Sequence, residues 1–187
     1  MAMNKIFNLG FGHSGSGSLE VALCKINFPT IHHFTPDGTK LRDVIQKNKR
    51  LKRNLFYTLD EKFQGFCDFN GDQYYKELYC QYPNSKFILT IRPEEEWVKR
   101  MIYFRIQDFP HHYKTKASKA KLTLQFTKRY HNVQLELREF FKDKPNQYLE
   151  LRICEGEGWE KLCNFLEVEQ PDIPFPHEYK TIYKESK

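Results

Sequence analysis

The stretch near the amino terminus constrains the fold more than any other part of the sequence. Residues 5–11 are mainly apolar and predict a buried strand, residues 10–18 are rich in Gly and Ser, and a helical pattern begins at about residue 16. A strand, a glycine-rich loop and a helix in this order form a cradle for phosphate. Glycines let an anion approach the backbone, and the first amides of the helix point toward it. Three serine hydroxyls add donors: Ser14, Ser16 and Ser18.

The glycine spacing limits the chemistry that this loop supports. Gly10 and Gly15 are spaced as in a Walker A loop, G-x-x-x-x-G-K-[ST]. The next two residues are Ser16 and Gly17, so the lysine and the hydroxyl that kinases and ATPases use on phosphates and Mg²⁺ are missing. The loop therefore predicts anion binding without metal-assisted ATP chemistry. The alternative is a strand, turn and helix in which the glycines serve only the turn.

Strand and helix patterns alternate along the rest of the chain. Further strands are predicted at residues 30–34, 63–69, 86–91 and 147–153, and helices at residues 38–50, 73–82, from 93 onward, 117–142 and 159–166. We predict that Asp72 caps the helix at 73–82, and that residues 101–114 form a loop or broken helix. The alternation predicts an α/β, three-layer P-loop-type fold, with a central, mainly parallel sheet of about four to five strands flanked by helices. The length of 187 residues favours a single domain over residues 1–187.

Composition indicates the partners and the compartment. The 30 Lys and Arg residues exceed the 24 Asp and Glu residues, and this net charge of +6 favours anionic partners. The five cysteines are odd in number and form no C-x-x-C pair, which predicts free thiols in a reducing compartment and no zinc site. No apolar run has the length of a signal peptide or a membrane span, so we expect a cytoplasmic protein without a membrane span. The basic run at residues 47–53 either contacts phosphate or is a solvated surface.

Three stretches together resemble the PAPS-dependent sulfotransferase family, in its P-loop sulfotransferase branch; PAPS is 3′-phosphoadenosine 5′-phosphosulfate. Residues 10–19 read GFGHSGSGSL and resemble the 5′-phosphosulfate loop, G-x-P-[KR]-S-G-T-[ST]-[SW]-L. Residues 82–97 are similar to the family segment YPdAKfIlTvRdPexW. Residues 158–176 resemble the carboxyl-terminal pattern GWEpLcxFLgvpvPdxPFP. The three stretches occur in the family's order and are spread over most of the length of the chain, from residue 10 to residue 176.

The resemblance implies transfer of a sulfuryl group from PAPS to a hydroxyl or amine, without a metal. The acceptor would be a small molecule or a glycan. The family's residues for the donor fall on Gly12, His13, Ser14, Gly15, Ser16, Gly17, Ser18, Arg92 and Arg100. Arg92 matches the arginine that binds the 3′-phosphate. His13 stands where the family has Lys or Arg, and Arg100 stands where it has a serine.

These two departures keep alternatives open. One is a non-catalytic module that binds a nucleotide or a sulfated ligand on the same scaffold. Another is a P-loop nucleotide kinase, against which the missing lysine argues. A basic RNA-binding domain is disfavoured because no RNA-binding motif is present, so no nucleic-acid partner is expected.

The acceptor's proton requires a base. Asp68 is the first candidate because it ends a predicted strand beside the loop, although it also suits a cap or loop anchor. His32 and His33 follow the second strand and are the next candidates, and His13 would contact the sulfonate. We expect the acceptor loops at residues 30–60 and 103–120. The chain is short for the family, so the sequence leaves two alternatives for the acceptor site: it is open, or a partner completes it. A homo-oligomer is among the assemblies that the sequence allows.

Overall fold

The structure, a computed structural model, describes residues 4–113 and 115–178. Its centre is a sheet in which every neighbouring pair of strands is parallel, in the order β2-β3-β1-β4-β5. The strands are β1 (Ile6–Asn8), β2 (Thr30–His32), β3 (Gly65–Cys67), β4 (Lys86–Thr90) and β5 (Tyr148–Leu151). The α helices are α1 (Ser16–Lys25), α2 (Leu41–Arg50), α3 (Tyr75–Gln81), α4 (Glu94–Asp108), α5 (Lys116–Phe141) and α6 (Trp159–Leu166). The predicted α/β fold with a parallel sheet is confirmed.

The helices cover both faces of the sheet because successive strand side chains point to opposite sides. In β1, Phe7 lies in a buried cluster with side chains of α2, α3 and α5. Its neighbour Ile6 lies in a second cluster with side chains of α1 and α6. The same alternation separates Phe87 from Ile88 in β4. The fold therefore has three layers, as the sequence predicts.

Helix α4 corrects one prediction from the sequence. Residues 101–108 continue this helix, so the loop or broken helix expected over residues 101–114 is wrong over this part. Met101 and Ile102 pack with α5 in a third buried cluster, and this contact stabilises the extra turns. The helix ends at Asp108 because Pro110 disfavours helical backbone at the residue before it. Residue 114 lies outside the described residues. It belongs to two predicted segments, the loop or broken helix at 101–114 and the acceptor loop at 103–120. Residues 1–3 and 179–187 of the predicted domain also lie outside the described residues.

Asp72 does not have the capping role that the sequence predicts. It lies in the short 3₁₀ helix Gly71–Gln73, and α3 begins afterwards without a side-chain cap. The Asp72 carboxylate accepts a hydrogen bond of 2.7 Å from the Arg129 guanidinium on α5. Its side chain is only 4% exposed, so a long-range ion pair replaces the local cap.

The carboxyl ends of all five parallel strands lie at one edge of the sheet. The loops that follow β1, β2, β3, β4 and β5 therefore meet at that edge, where open α/β sheets place their ligands. Within residues 4–113 and 115–178, no cluster of three or more His, Cys, Asp or Glu side chains is arranged to hold a metal ion. In the same part of the chain, no helix combines the length and the apolar character needed to cross a membrane.

Candidate functional site

The loop after β1 leads directly into helix α1. Gly15, the residue before the helix, has left-handed backbone with φ of 108°, which glycine adopts without steric cost. The first helical hydrogen bond runs from the Leu19 amide to the Gly15 carbonyl, at 3.0 Å. The amides of Ser16, Gly17 and Ser18 therefore lie in the first turn, where a helix has no internal acceptors for them. This geometry suits an anion.

Trp97 of helix α4 and Arg92, two residues before the helix begins, hold the loop in place through hydrogen bonds to its carbonyl groups. The Trp97 indole donates a hydrogen bond of 3.1 Å to the Gly12 carbonyl, and the Arg92 Nε donates one of 2.8 Å to the His13 carbonyl. The Arg92 Nη1 also pairs with Glu96 at 2.9 Å, and its own carbonyl accepts a hydrogen bond from the Tyr130 hydroxyl. Arg92 is therefore an anchor of the loop as well as a residue of the cleft wall.

His13 has an unusual position at the tip of the loop. Its backbone is left-handed, with φ of 66°, and its ring stacks on Phe104 with 4.1 Å between ring centroids and an interplanar angle of 4°. Partial burial lowers the pKa of His13; Asp68 offsets part of this effect, while Arg100 and Arg92 lower the pKa further. The imidazole is therefore neutral near pH 7, unlike the Lys or Arg that the resemblance implies at this position.

The three loop serines occupy different environments. Ser14 is 1% exposed, donates a hydrogen bond of 2.6 Å to the Phe11 carbonyl and lies 2.8 Å from the Thr90 hydroxyl, so it supports the loop from inside. The Ser16 hydroxyl lies 3.1 Å from His32 Nε2. The Ser18 hydroxyl accepts a hydrogen bond of 3.0 Å from the Glu178 amide.

The candidate bases lie together at the ends of β2 and β3. Asp68 Oδ2 is 2.9 Å from His33 Nδ1, and the backbone of both residues is left-handed. His32 instead directs its Nε2 toward Ser16, and burial lowers its pKa. The structure therefore separates the candidates into an Asp68–His33 pair and a His32 that contacts the loop.

One cleft connects these residues, with a volume of about 1320 Å³. Its walls contain every predicted catalytic residue, namely His13, Asp68, His32 and His33. Of the predicted donor-binding residues, its walls contain Gly12, His13, Gly15, Ser16, Gly17, Ser18, Arg92 and Arg100. Arginines from three elements contribute positive charge: Arg42 on α2, Arg100 on α4 and Arg129 on α5.

Several cleft residues were not named as candidates from the sequence, although two of them, Arg42 and Phe104, fall within the expected acceptor loops. These residues are Arg42, Phe104, Arg129, Ile153, Cys154, Gly156, His177 and Glu178. The sequence contained a signal that Phe104 faces the cleft. Residues three and four apart share one helix face, and Phe104 follows Trp97, Arg100 and Met101 at this spacing. The others reach the cleft through long-range packing, for which the local sequence has no signal.

A comparison with family models identifies the family of the chain. The family model described as "Sulfotransferase domain" matches residues 5–108 and 101–182. A search of curated proteins gives no match. The matched segments contain both the loop after β1 and Arg92, so the resemblance seen in the sequence is confirmed. Since the match extends over well more than half of the chain, the protein belongs to the sulfotransferase domain family.

Proposed function

We propose that the protein transfers a sulfuryl group from PAPS to a hydroxyl or amine of an acceptor. The observation that carries the proposal is the loop at residues 10–18, whose first helical amides meet a cleft wall that contains arginines. When bound, PAPS supplies a sulfonate whose S–O bond to phosphate breaks as the acceptor atom bonds to sulfur. The cleft volume of about 1320 Å³ exceeds the roughly 300–1,000 Å³ of a typical pocket for one small ligand. Both donor and acceptor have room in it.

The groups around the loop suit an anionic donor. The Ser16, Gly17 and Ser18 amides, with Gly12 and Gly15 giving access to the backbone, would hold the 5′-phosphosulfate. Ser14 would act indirectly, because its hydroxyl is bonded within the loop. Arg92 and Arg100 would bind the 3′-phosphate, since guanidinium N–H groups donate strong hydrogen bonds to phosphate oxygens. Arg92 would do so through N–H groups other than the Nε that anchors the His13 carbonyl.

His33 is the proposed base, and Asp68 is the residue that positions it. In the neutral imidazole, a hydrogen bond from His33 Nδ1 to Asp68 places the ring proton on Nδ1, so Nε2 is the nitrogen that would take a proton from the acceptor hydroxyl. His32 is less suited, because its Nε2 contacts Ser16. His13, which is neutral, would donate one hydrogen bond to the sulfonate and would stabilise its negative charge less than a lysine does.

Thermal unfolding with 3′-phosphoadenosine 5′-phosphate, the product of the donor, tests the proposal. A ligand at 100 times its Kd adds about 2.7 kcal/mol to the free energy of unfolding, which for a domain of this size raises the midpoint by about 5–10 °C. We expect this rise with the wild-type protein. We expect it to disappear in Arg92→Ala and to shrink in Ser16→Ala, which leaves the Arg92 anchor intact.

Two comparisons make the result interpretable. Arg138→Ala removes an arginine whose ion pair with Glu150 lies outside the cleft, so its response to the bisphosphate should equal that of the wild type. ATP with Mg²⁺ is the second ligand. A thermal midpoint that rises with ATP and Mg²⁺ but not with the bisphosphate would overturn the proposal in favour of a nucleotide kinase. A wild-type protein that responds to neither ligand would contradict PAPS binding.

A further inference from the structure

The positive charge of the protein is concentrated in one segment. Residues 40–53, here called the basic segment, contain seven Lys or Arg residues and a single acidic residue, Asp43. The basic segment therefore has a net charge of +6, which equals the net charge of the whole chain. The residues outside the segment contain equal numbers of basic and acidic side chains. Such an asymmetry indicates a surface for an anionic partner.

Helix stability does not account for this arrangement. Cations favour the carboxyl end of a helix, which suits Lys47, Lys49 and Arg50 in the last turn of α2. Lys40 and Arg42 lie at the opposite end, where the helix dipole disfavours positive charge. Lys52 and Arg53 follow the end of the helix. These four residues require another explanation.

The basic segment begins at the cleft. Arg42 is part of the cleft wall, together with His33 and Asp68. A second, smaller cavity of about 40 Å³ joins Lys40 and Arg42 to the same His33–Asp68 pair. From there α2 extends for ten residues, about 15 Å at 1.5 Å per residue. A ligand that occupies the cleft beside His33 can therefore continue along the basic segment.

Most of these charges face solvent without a carboxylate partner. Lys47, Arg50 and Lys52 are exposed and form no ion pair with any residue in the described parts of the chain. The Lys49 ammonium pairs with Glu77 at 2.6 Å, and the Arg42 contact with Asp43 is long, at 3.9 Å. The segment therefore retains a net positive surface.

We propose that the acceptor is a linear anionic glycan, whose carboxylate or sulfate groups bind the basic segment while one hydroxyl reaches His33. This inference rests on the proposed sulfuryl transfer, because it names the acceptor of that reaction. A glycan fits better than a nucleic acid. Single-stranded nucleic acids gain affinity by stacking bases on aromatic rings, and the exposed rings beside the segment, Phe34 and Tyr57, each have one face occupied by a cation of the segment, Lys40 and Arg53.

The test measures binding of a fluorescent heparin oligosaccharide by anisotropy at several salt concentrations. Lys47→Ala/Arg50→Ala/Lys52→Ala removes three exposed charges at the distal end of the segment. We expect Kd to rise about tenfold. We also expect the magnitude of the slope of log affinity against log salt concentration to fall by about 2, because each of the three lost charge contacts contributes roughly 0.7. A neutral dextran oligosaccharide should not bind.

A matched variant, Lys25→Ala/Lys121→Ala/Lys128→Ala, removes the same charge from exposed positions outside the basic segment and the cleft. Equal weakening by both triple variants would overturn the proposal, as would equal binding of the neutral oligosaccharide. Tighter binding of a single-stranded RNA of similar charge would favour a nucleic acid instead.

The bisphosphate response of the same proteins separates the two proposals. A thermal shift with the bisphosphate but no oligosaccharide binding would overturn the glycan acceptor and leave sulfuryl transfer supported. Oligosaccharide binding through the segment without any bisphosphate response would overturn sulfuryl transfer, and with it the role of the glycan as acceptor.

Discussion

Among single residues, His13 stands where the resemblance implies Lys or Arg, and its backbone conformation suits histidine. Its φ of 66° lies in the left-handed region, where histidine occurs more often than most residues with a side chain. The stack on Phe104 fixes the ring, and partial burial, together with Arg100 and Arg92, lowers its pKa. The loop therefore gains a well-placed imidazole and loses a permanent positive charge.

Replacement of this residue tests what the missing charge costs. In His13→Lys we expect sulfuryl transfer from PAPS at pH 7.5 to accelerate about 30- to 1,000-fold, the equivalent of about 2–4 kcal/mol in the transition state. The free energy of unfolding should fall by about 1 kcal/mol, because lysine is strained at positive φ and the stack is lost. Rates of product release and urea unfolding measure the two effects.

His13→Gln is the control, since it keeps a hydrogen-bond donor but adds no charge. Equal rates for the Lys and Gln variants would show that charge at this position does not limit the reaction.

At the scale of secondary-structure elements, the Asp72–Arg129 ion pair links the 3₁₀ helix after β3 to α5. The Asp72 side chain is 4% exposed, and burial raises its pKa although Arg129 opposes this effect. The Arg129 guanidinium also lies 5.2 Å over the Phe11 ring, beside the loop. One arginine therefore connects α5 to both the β3 end and the loop after β1.

Removal of this arginine should destabilise the protein more than removal of an exposed one. Arg129→Ala leaves the buried Asp72 carboxylate unpaired, and we expect the free energy of unfolding to fall by about 2–3 kcal/mol. Arg138→Ala on the same helix breaks an ion pair with Glu150 whose side chains are 45% and 22% exposed, more than Asp72, so the loss should be smaller, about 1 kcal/mol. Denaturant unfolding compares the two variants, and similar losses would contradict the structural role of Arg129.

The sequence predicts these elements better than it predicts their contacts. Apolar periodicity located the strands and helices within a few residues, because each buries one face in the cores on either side of the sheet. It failed for α4, whose last turns depend on packing against α5. It also assigned Asp72 to a local cap, since a carboxylate before a helix gives no sign of a partner 57 residues away. Arg92 was expected at phosphate, and its hydrogen bond to the His13 carbonyl had no sequence signal.

For the whole molecule, the cleft makes stability depend on pH. Burial lowers the pKa of both His13 and His32. At a pH between the lowered pKa values of the folded protein and the ordinary histidine pKa near 6.5, the unfolded chain binds more protons than the folded protein. The free energy of unfolding therefore falls as the pH decreases below about 6.5.

Thermal midpoints at pH 7.5 and pH 5.5 test this dependence. We expect the wild-type midpoint to be lower at pH 5.5, and we expect His13→Gln/His32→Gln to lose less between the two values. Because other groups titrate in both proteins, the difference between wild type and variant is the informative quantity. An equal loss in both would show that these histidines do not cause the dependence.

The hydrogen bond from the Glu178 amide to the Ser18 hydroxyl joins residues 160 positions apart. A ribosome makes the loop after β1 early, but makes the wall that contains His177 and Glu178 only after all five strands. A nascent chain therefore has the loop long before it has the complete cleft. Any stabilisation by a bound ligand becomes fully available only when residue 178 has left the exit tunnel, so folding before that point proceeds without the full contribution of the ligand.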